Sequence, residues 1–328
     1  MLSYRSILKE SWKISWRNKY LWFFGFFASL VSFNVELKIF SRSLNQNSGI
    51  NVLSNIKTFL STGIFSRDSW LNFIELFKTD TFTMILLVLI LLLIIAIIIF
   101  LAWLSTVSQI GIISSTNKIM KNSRDKLTIR NGIKSANKKF WPVFAMNVII
   151  SVVVNIIYLV TSILLITVAL KSKVTTAIIF GLIFIVMISL SLIFSFIMKY
   201  AIAYFIIENK KFGQSIKQGW RLFIENWLIS IEMSIVLFLI NILTIFLLSF
   251  ISFVIFYLVF SLSFSIILMT SSIFLFWIIM IAGSLVLLAV AVLGGALLNT
   301  FQITSWTNLF VQLRNGKELS KIEKIFQN

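Results

Sequence analysis

The chain has 328 residues, 59% of them apolar and only 12% charged, with a mean hydropathy of +1.00. A soluble domain carries roughly 45–50% apolar and about 25% charged residues, so this composition excludes a water-soluble globular protein and describes a polytopic membrane protein. Twenty-nine Lys and Arg oppose 11 Asp and Glu, giving a formal net charge of +18, and there is neither His nor Cys. Imidazole bases, thiol nucleophiles, disulfides and the usual zinc, haem and copper ligands are therefore excluded, and no cofactor is expected.

A bilayer core of ~30 Å needs about 20 apolar residues per helix. In chain order, such windows predict an all-α polytopic bundle of about six spans. The first covers about 20–35 and the second 81–108, with an outer loop over 36–80 in which 52–77 holds one or two amphipathic helices. The next pair, 141–170 and 174–198, is joined by a tight turn at Lys171 and Lys173. The last pair is placed at 228–251 and 275–300, with the apolar segment 252–272 lying at the outer interface or re-entering; four spans over 228–313 is the alternative. A single proline in the whole chain implies mostly unbroken helices.

Charge sets the orientation. The segments 1–19, 118–139, 199–225 and 314–328 hold 22 of the 29 basic residues, the positive-inside pattern of a multi-pass cell-membrane protein with both termini cytoplasmic. The long polar lead before the first span argues against a cleaved signal peptide.

Three polar segments share a pattern. Aligning Leu8, Ile129 and Ile216 brings Lys9, Arg130 and Lys217 together, then Ser11, Gly132 and Gly219, then Trp12, Ile133 and Trp220, and later Asn18, Lys139 and Asn226. The aliphatic and the bulky apolar position are four apart and share a helical face, so each segment is predicted to be an amphipathic helix in the headgroup region. Trp16, Trp22, Trp141 and Trp227 suit an interfacial belt. The unit is amphipathic helix, span, outer connection, return span, repeated three times over 1–117, 118–211 and 212–328.

The run Ile216-Lys217-Gln218-Gly219-Trp220-Arg221-Leu222, preceded by Tyr200-Ala201-Ile202-Ala203-Tyr204 and by Ile207-Glu208, resembles the membrane domain that accompanies some bacterial glycerophosphodiester phosphodiesterases and also stands alone in integral membrane proteins. The likeness is best over about 195–240. What it implies is a membrane domain and not the enzyme, because the catalytic barrel of that family uses histidines and a carboxylate-held metal, and this chain has no histidine.

The candidate headgroup-binding residues are Lys9, Trp12, Arg17, Arg130, Lys134, Lys138, Lys139, Lys217, Trp220 and Arg221. Next to a membrane, anionic lipid is the expected partner for the 118–139 cluster, at ~1 kcal/mol per basic residue, and nucleic acid is not expected. The candidate intramembrane polar residues are Glu232, Lys199, Asn155, Asn241 and Asn299. Glu232 is an acid one turn inside the fifth span, which invites cation or proton chemistry against a plainer snorkelling role. It is seven residues from Glu225, close enough to share a helical face with it. Lys199 ends the fourth span beside a lipid phosphate or simply snorkels. The asparagines, with Asn147, suit helix packing, as does Gly294-Gly295-Ala296. Three functions follow: a non-enzymatic protein that engages anionic lipid and organises lipid or a membrane partner, a transporter or permease subunit for a small or amphiphilic solute, or a membrane anchor or regulator of a separately encoded enzyme, with a membrane or soluble protein as partner.

Overall fold

The computed structural model describes residues 4–30, 81–121, 129–169, 173–270 and 272–316. The expected outer loop 36–80, the Lys171 turn, the centre of the 118–139 cluster and the tail beyond 316 lie outside the described residues. Among those described there is no strand. Nine helices follow one another: α1 (Tyr4–Arg17), α2 (Tyr20–Leu30), α3 (Thr81–Met120), α4 (Ile129–Asn137), α5 (Phe140–Ala169), α6 (Lys173–Glu208), α7 (Phe212–Glu225), α8 (Trp227–Thr270) and α9 (Ile273–Arg314). Five of them are long and apolar enough to cross a membrane, and Tyr20–Ser29 is a shorter apolar helix. The described residues are thus those of a helical membrane protein.

Local chemistry explains the unbroken helices. The one proline, Pro142, sits in the first turn of α5, where its missing N–H has no intrahelical partner to lose. Hydroxyls within the apolar helices turn back onto their own backbone: Thr244 donates to the Ile240 carbonyl at 2.8 Å and Ser263 to Val259 at 2.7 Å. Such back-bonding satisfies a polar group that hydrocarbon would otherwise leave bare.

The contacts divide the chain into two compact units, one of 1–33, 104–144 and 196–328, the other of 34–103 and 145–195. In the second, the described surface is dominated by exposed aliphatic side chains such as Ile85, Leu92 and Val152. The first unit contains the packed core. Residues 104–113 of α3, 200–204 of α6 and 299–305 of α9 are buried around the whole helix circumference, and Thr116 and Thr304 bring α3 and α9 within 3.4 Å.

The helix lengths differ from the expected spans. α8 has 44 residues and α9 has 42, ~65 Å each at 1.5 Å per residue, more than twice a ~30 Å hydrocarbon core. Residues 252–270 therefore form no separate outer segment but continue α8, which nothing in the sequence interrupts before Ser271. Gly283 faces Val259 and Gly294 faces Leu248, so α9 returns antiparallel beside α8 in constant register. Likewise α3 passes the expected end at 108 and α6 passes 198, because their ends are packed in protein and have no reason to stop at a lipid boundary.

The aligned junction residues behave alike. Asn18, between α1 and α2, donates its side-chain amide to the Ile14 carbonyl at 2.8 Å, and Asn226, between α7 and α8, donates to Leu222 at 3.1 Å. Their backbone N–H groups reach the same two carbonyls, at 3.2 and 3.1 Å. Each asparagine thus closes one helix and lets the next begin at a new angle. Replacing Asn18 or Asn226 by alanine is expected to lower stability by a similar amount, about 1 kcal/mol, as read by thermal unfolding of the purified chain in detergent. Markedly unequal effects would contradict the equivalence.

Candidate functional site

The amphipathic helices bury a narrow face and present a basic, aromatic one. α1 buries Ile7, Ser11, Ile14 and Ser15, and exposes Lys9, Lys13 and Arg17. Trp12 and Trp16, 48% and 51% exposed, stack with ring centroids 5.6 Å apart, and Trp22 lies a further 5.6 Å along. Trp22 donates its indole N–H to the Ser15 carbonyl at 2.8 Å. α7 repeats the arrangement: Ser215, Gly219, Leu222 and Phe223 are buried, while Lys217, Trp220 and Arg221 face outward. Arg221 pairs with Glu225 at 2.7 Å, which raises its pKa further. In α4, Arg130 and Lys134 are exposed, as is Lys138 in the turn just after it.

The small residue shared by the three helices lies against the core each time. A Cβ on Gly219 would meet the Ile197 carbonyl at 2.7 Å and the Ala201 nitrogen at 2.8 Å, and one on Gly132 would meet the Phe24 ring at 2.9 Å. Ser11 is fully buried and receives the Asn308 amide at 3.4 Å.

Lys139 departs from the headgroup expectation. Its ammonium donates to the Ile206 carbonyl at 2.6 Å and to the Asn209 side chain, capping the last turn of α6 where Asn209 takes the left-handed conformation at φ 55°. A cation on orphan carbonyls complements the helix dipole, and partial burial lowers its pKa. Lys139→Met is expected to destabilise the chain by about 1 kcal/mol, measured by thermal unfolding. An unchanged midpoint would remove the cap. Beside it, Glu208 accepts from Lys210 at 2.7 Å and Arg314 at 2.5 Å, tying the ends of α6 and α9.

Glu232 accepts the Tyr4 hydroxyl, so it joins α8 to α1. Glu225 lies on the other side of the Asn226 turn, and the two acids share no helix. Asn299 donates to the Gly25 carbonyl at 2.9 Å, a packing contact between α9 and α2. Asn241 is buried and Asn155 exposed. Lys199 does not end a helix: its ammonium lies 4.3 Å from the Trp306 ring centroid. Among the described residues no acidic cluster suited to a metal occurs.

What the sequence reading passed over is the polar character of the α9 end. Thr300, Gln302, Thr304, Thr307, Asn308 and Gln312 are all buried. Thr300 donates to Leu21, Asn308 to Glu10 and Gln312 to Asn308. The density of amides and hydroxyls over 299–312 in an otherwise apolar helix was the available signal. No protein-family model, curated protein or solved structure matches the chain.

Proposed function

We propose that this is a non-enzymatic multi-pass protein of the cell membrane that engages anionic headgroups on the cytoplasmic side and thereby organises lipid or a membrane partner. The observation that carries the reading is the outward face of α1 and α7, where exposed cations alternate with half-exposed tryptophans: Trp12 and Trp16 among Lys9, Lys13 and Arg17, and Trp220 between Lys217 and Arg221. Tryptophan prefers the interface, and basic side chains beside it meet lipid phosphates. Both termini lie in the cytoplasm, on the side of the basic segments.

Three tandem units of amphipathic helix and helix pair, six spans in all, belong to the same proposal. It is supported by the matching junctions at Asn18 and Asn226 and by the small residue at Ser11, Gly132 and Gly219, buried at Ser11 and Gly219 and half-buried against the Phe24 ring at Gly132. Similarity to the phosphodiesterase-associated membrane domain is part of it, with the chemistry of the barrel left out.

The test is lipid selectivity. Reconstituted in mixed zwitterionic and anionic bilayers and excised with a thin lipid rim, the protein should carry more anionic lipid than the bulk membrane. A rim of bulk composition would sink the proposal.

A transporter is the second reading, favoured by buried oxygens without a hydrogen-bond partner, on Ser105, Ser108, Ser305 and the Gln312 carbonyl. Such groups call for water or a polar solute. Solute flux into vesicles that is abolished by Gln312→Leu would move the function to this reading.

A further inference from the structure

We propose that the C-terminal end of α6 is a binding site for a phosphomonoester dianion, with Lys210 and Arg314 as its direct ligands and Lys139 supplying a third charge. The inference does not rest on lipid enrichment along α1 and α7, since it concerns one stoichiometric site with its own preference for charge.

Three cations from separate parts of the chain meet residues 206–209. Lys210 and Arg314 each take one oxygen of Glu208, at 2.7 and 2.5 Å. Lys139 donates to the Ile206 carbonyl at 2.6 Å and to the side chain of Asn209, next to Glu208. Lys210 also donates to the Gln218 side-chain oxygen and lies 5.2 Å from the Tyr204 ring centroid. Tyr204 is in turn fixed edge-on against Phe310, with centroids 4.8 Å apart. The cations are therefore placed by packed protein before any ligand arrives.

Their charges do not balance. Among the described residues Glu208 is the only carboxylate that any of the three cations meets, and Glu225 is occupied with Arg221 at 2.7 Å. Three cations against one carboxylate leave two positive charges, of which the dipole at the α6 C-terminus offsets about half of one. Lys139 is also partly desolvated, which lowers its pKa and makes an added anion more favourable beside it.

Donors remain as well. Lys210 spends two of its three ammonium N–H groups, and Arg314 pairs through Nε, which leaves at least one terminal amino group of the guanidinium fork. The Glu208 side chain is only 10% exposed, whereas those of Lys210 and Arg314 are 31% and 41% exposed, so the cations and not the acid face an incoming ligand. A phosphomonoester carries a charge of about −1.5 to −2 on three acceptor oxygens, which matches both the surplus and the unspent donors. A phosphodiester or a carboxylate brings a single charge. The same dianion is offered by phosphatidate in the membrane and by inorganic phosphate in water.

The full chain, purified in a nonionic detergent at constant ionic strength, is titrated with short-chain phosphatidate, short-chain phosphatidylglycerol and inorganic phosphate. Native mass spectrometry reads the stoichiometry and thermal shift the affinity. One phosphatidate per chain is expected, about tenfold or more tighter than phosphatidylglycerol, the difference of one charge-assisted contact. No preference for the dianion in the wild-type chain overturns the proposal without recourse to variants. Lys210→Gln and Arg314→Gln should each weaken phosphatidate binding by a similar factor, and glutamine keeps a donor for Glu208 in both. Equal affinity in wild type and in the folded variants overturns the proposal. Phosphate that displaces phosphatidate supports the shared phosphoryl chemistry. Phosphatidate binding that phosphate leaves untouched supports the site with a lipid as source, phosphate binding alone supports it with a soluble source, and binding of neither overturns it. Removing Lys9, Lys13 and Arg17 should leave this single site within about threefold, since screened surface charge contributes little at a distance. Loss of rim selectivity with this site intact, or the reverse, separates it from the proposed function.

Discussion

Gly25→Ala is expected to destabilise the protein by about 3 kcal/mol, the upper end of what overpacking costs. A Cβ at Gly25 would stand 2.1 Å from the Thr300 hydroxyl and 2.3 Å from the Ala296 carbonyl. The second obstacle is backbone, so no rotamer change relieves it. α2 would have to move off α9, and in doing so it would stretch two bonds that cross the interface, Asn299 to the Gly25 carbonyl at 2.9 Å and Thr300 to the Leu21 carbonyl at 3.1 Å. Phe24 belongs to the same helix; it is fully buried, lies 3.2 Å from where a Cβ on Gly111 would stand, and closes over Gly132 as well. A shift of α2 therefore disturbs α3 and α4 too.

The control is Gly295→Ala in α9. Nothing lies within 4 Å of a Cβ there, and a glycine inside a helix is about 0.5–1 kcal/mol less favourable than alanine, so this change should be neutral or mildly stabilising. Thermal unfolding of the two variants in one detergent measures the contrast. Similar midpoints for both would mean that α2 does not rest on α9 at Gly25.

These glycines also show how far the sequence could be read. Apolar windows give the existence of long helices, because lipid and protein cores both demand apolar side chains. They do not give helix ends. α3, α6 and α9 run on past the expected limits at 108, 198 and 300 because Gln109, Tyr200 and Gln302 enter a protein-packed core, and a hydropathy window reads the fall in apolarity there as a membrane boundary. The segment 252–270 was misplaced for the opposite reason: too long for one span of lipid, it remains helical because α9 lies along it.

The candidate site was partly legible. A shared small position at Ser11, Gly132 and Gly219 is visible in one dimension, since close helix approach needs it wherever it recurs. Lys139 is the instructive exception. It aligns with Asn18 and Asn226, yet it reaches across to the α6 end at Ile206, a contact between residues 67 apart in sequence that no local pattern encodes. Tyr4 and Glu232 meet over 228 residues, and nothing near either one announces the other.

Replacing Lys9, Lys13 and Arg17 together with glutamine is expected to reduce anionic-lipid enrichment around the protein to near the bulk ratio on the α1 side, without a loss of fold. Each basic group near an anionic surface is worth about 1 kcal/mol before screening, so three represent the larger part of what α1 contributes. All three side chains are exposed, whereas the packing face of α1 is Ile7, Ser11, Ile14 and Ser15; the substitutions therefore remove charge and leave the contacts with α9 in place. Tryptophan provides the complementary experiment. Trp12 meets Phe301 edge-on, with centroids 5.8 Å apart, so Trp12→Ala would lower stability as well as affinity, but Trp16, stacked on Trp12, tilted against Trp22 and half exposed, carries mainly interfacial preference. Raising ionic strength should erase the effect of the charge substitutions and spare that of Trp16→Ala, because salt screens exposed charge and leaves apolar burial almost untouched. Equal salt sensitivity of the two variants would show that α1 does not meet the headgroups through separate charged and aromatic contacts.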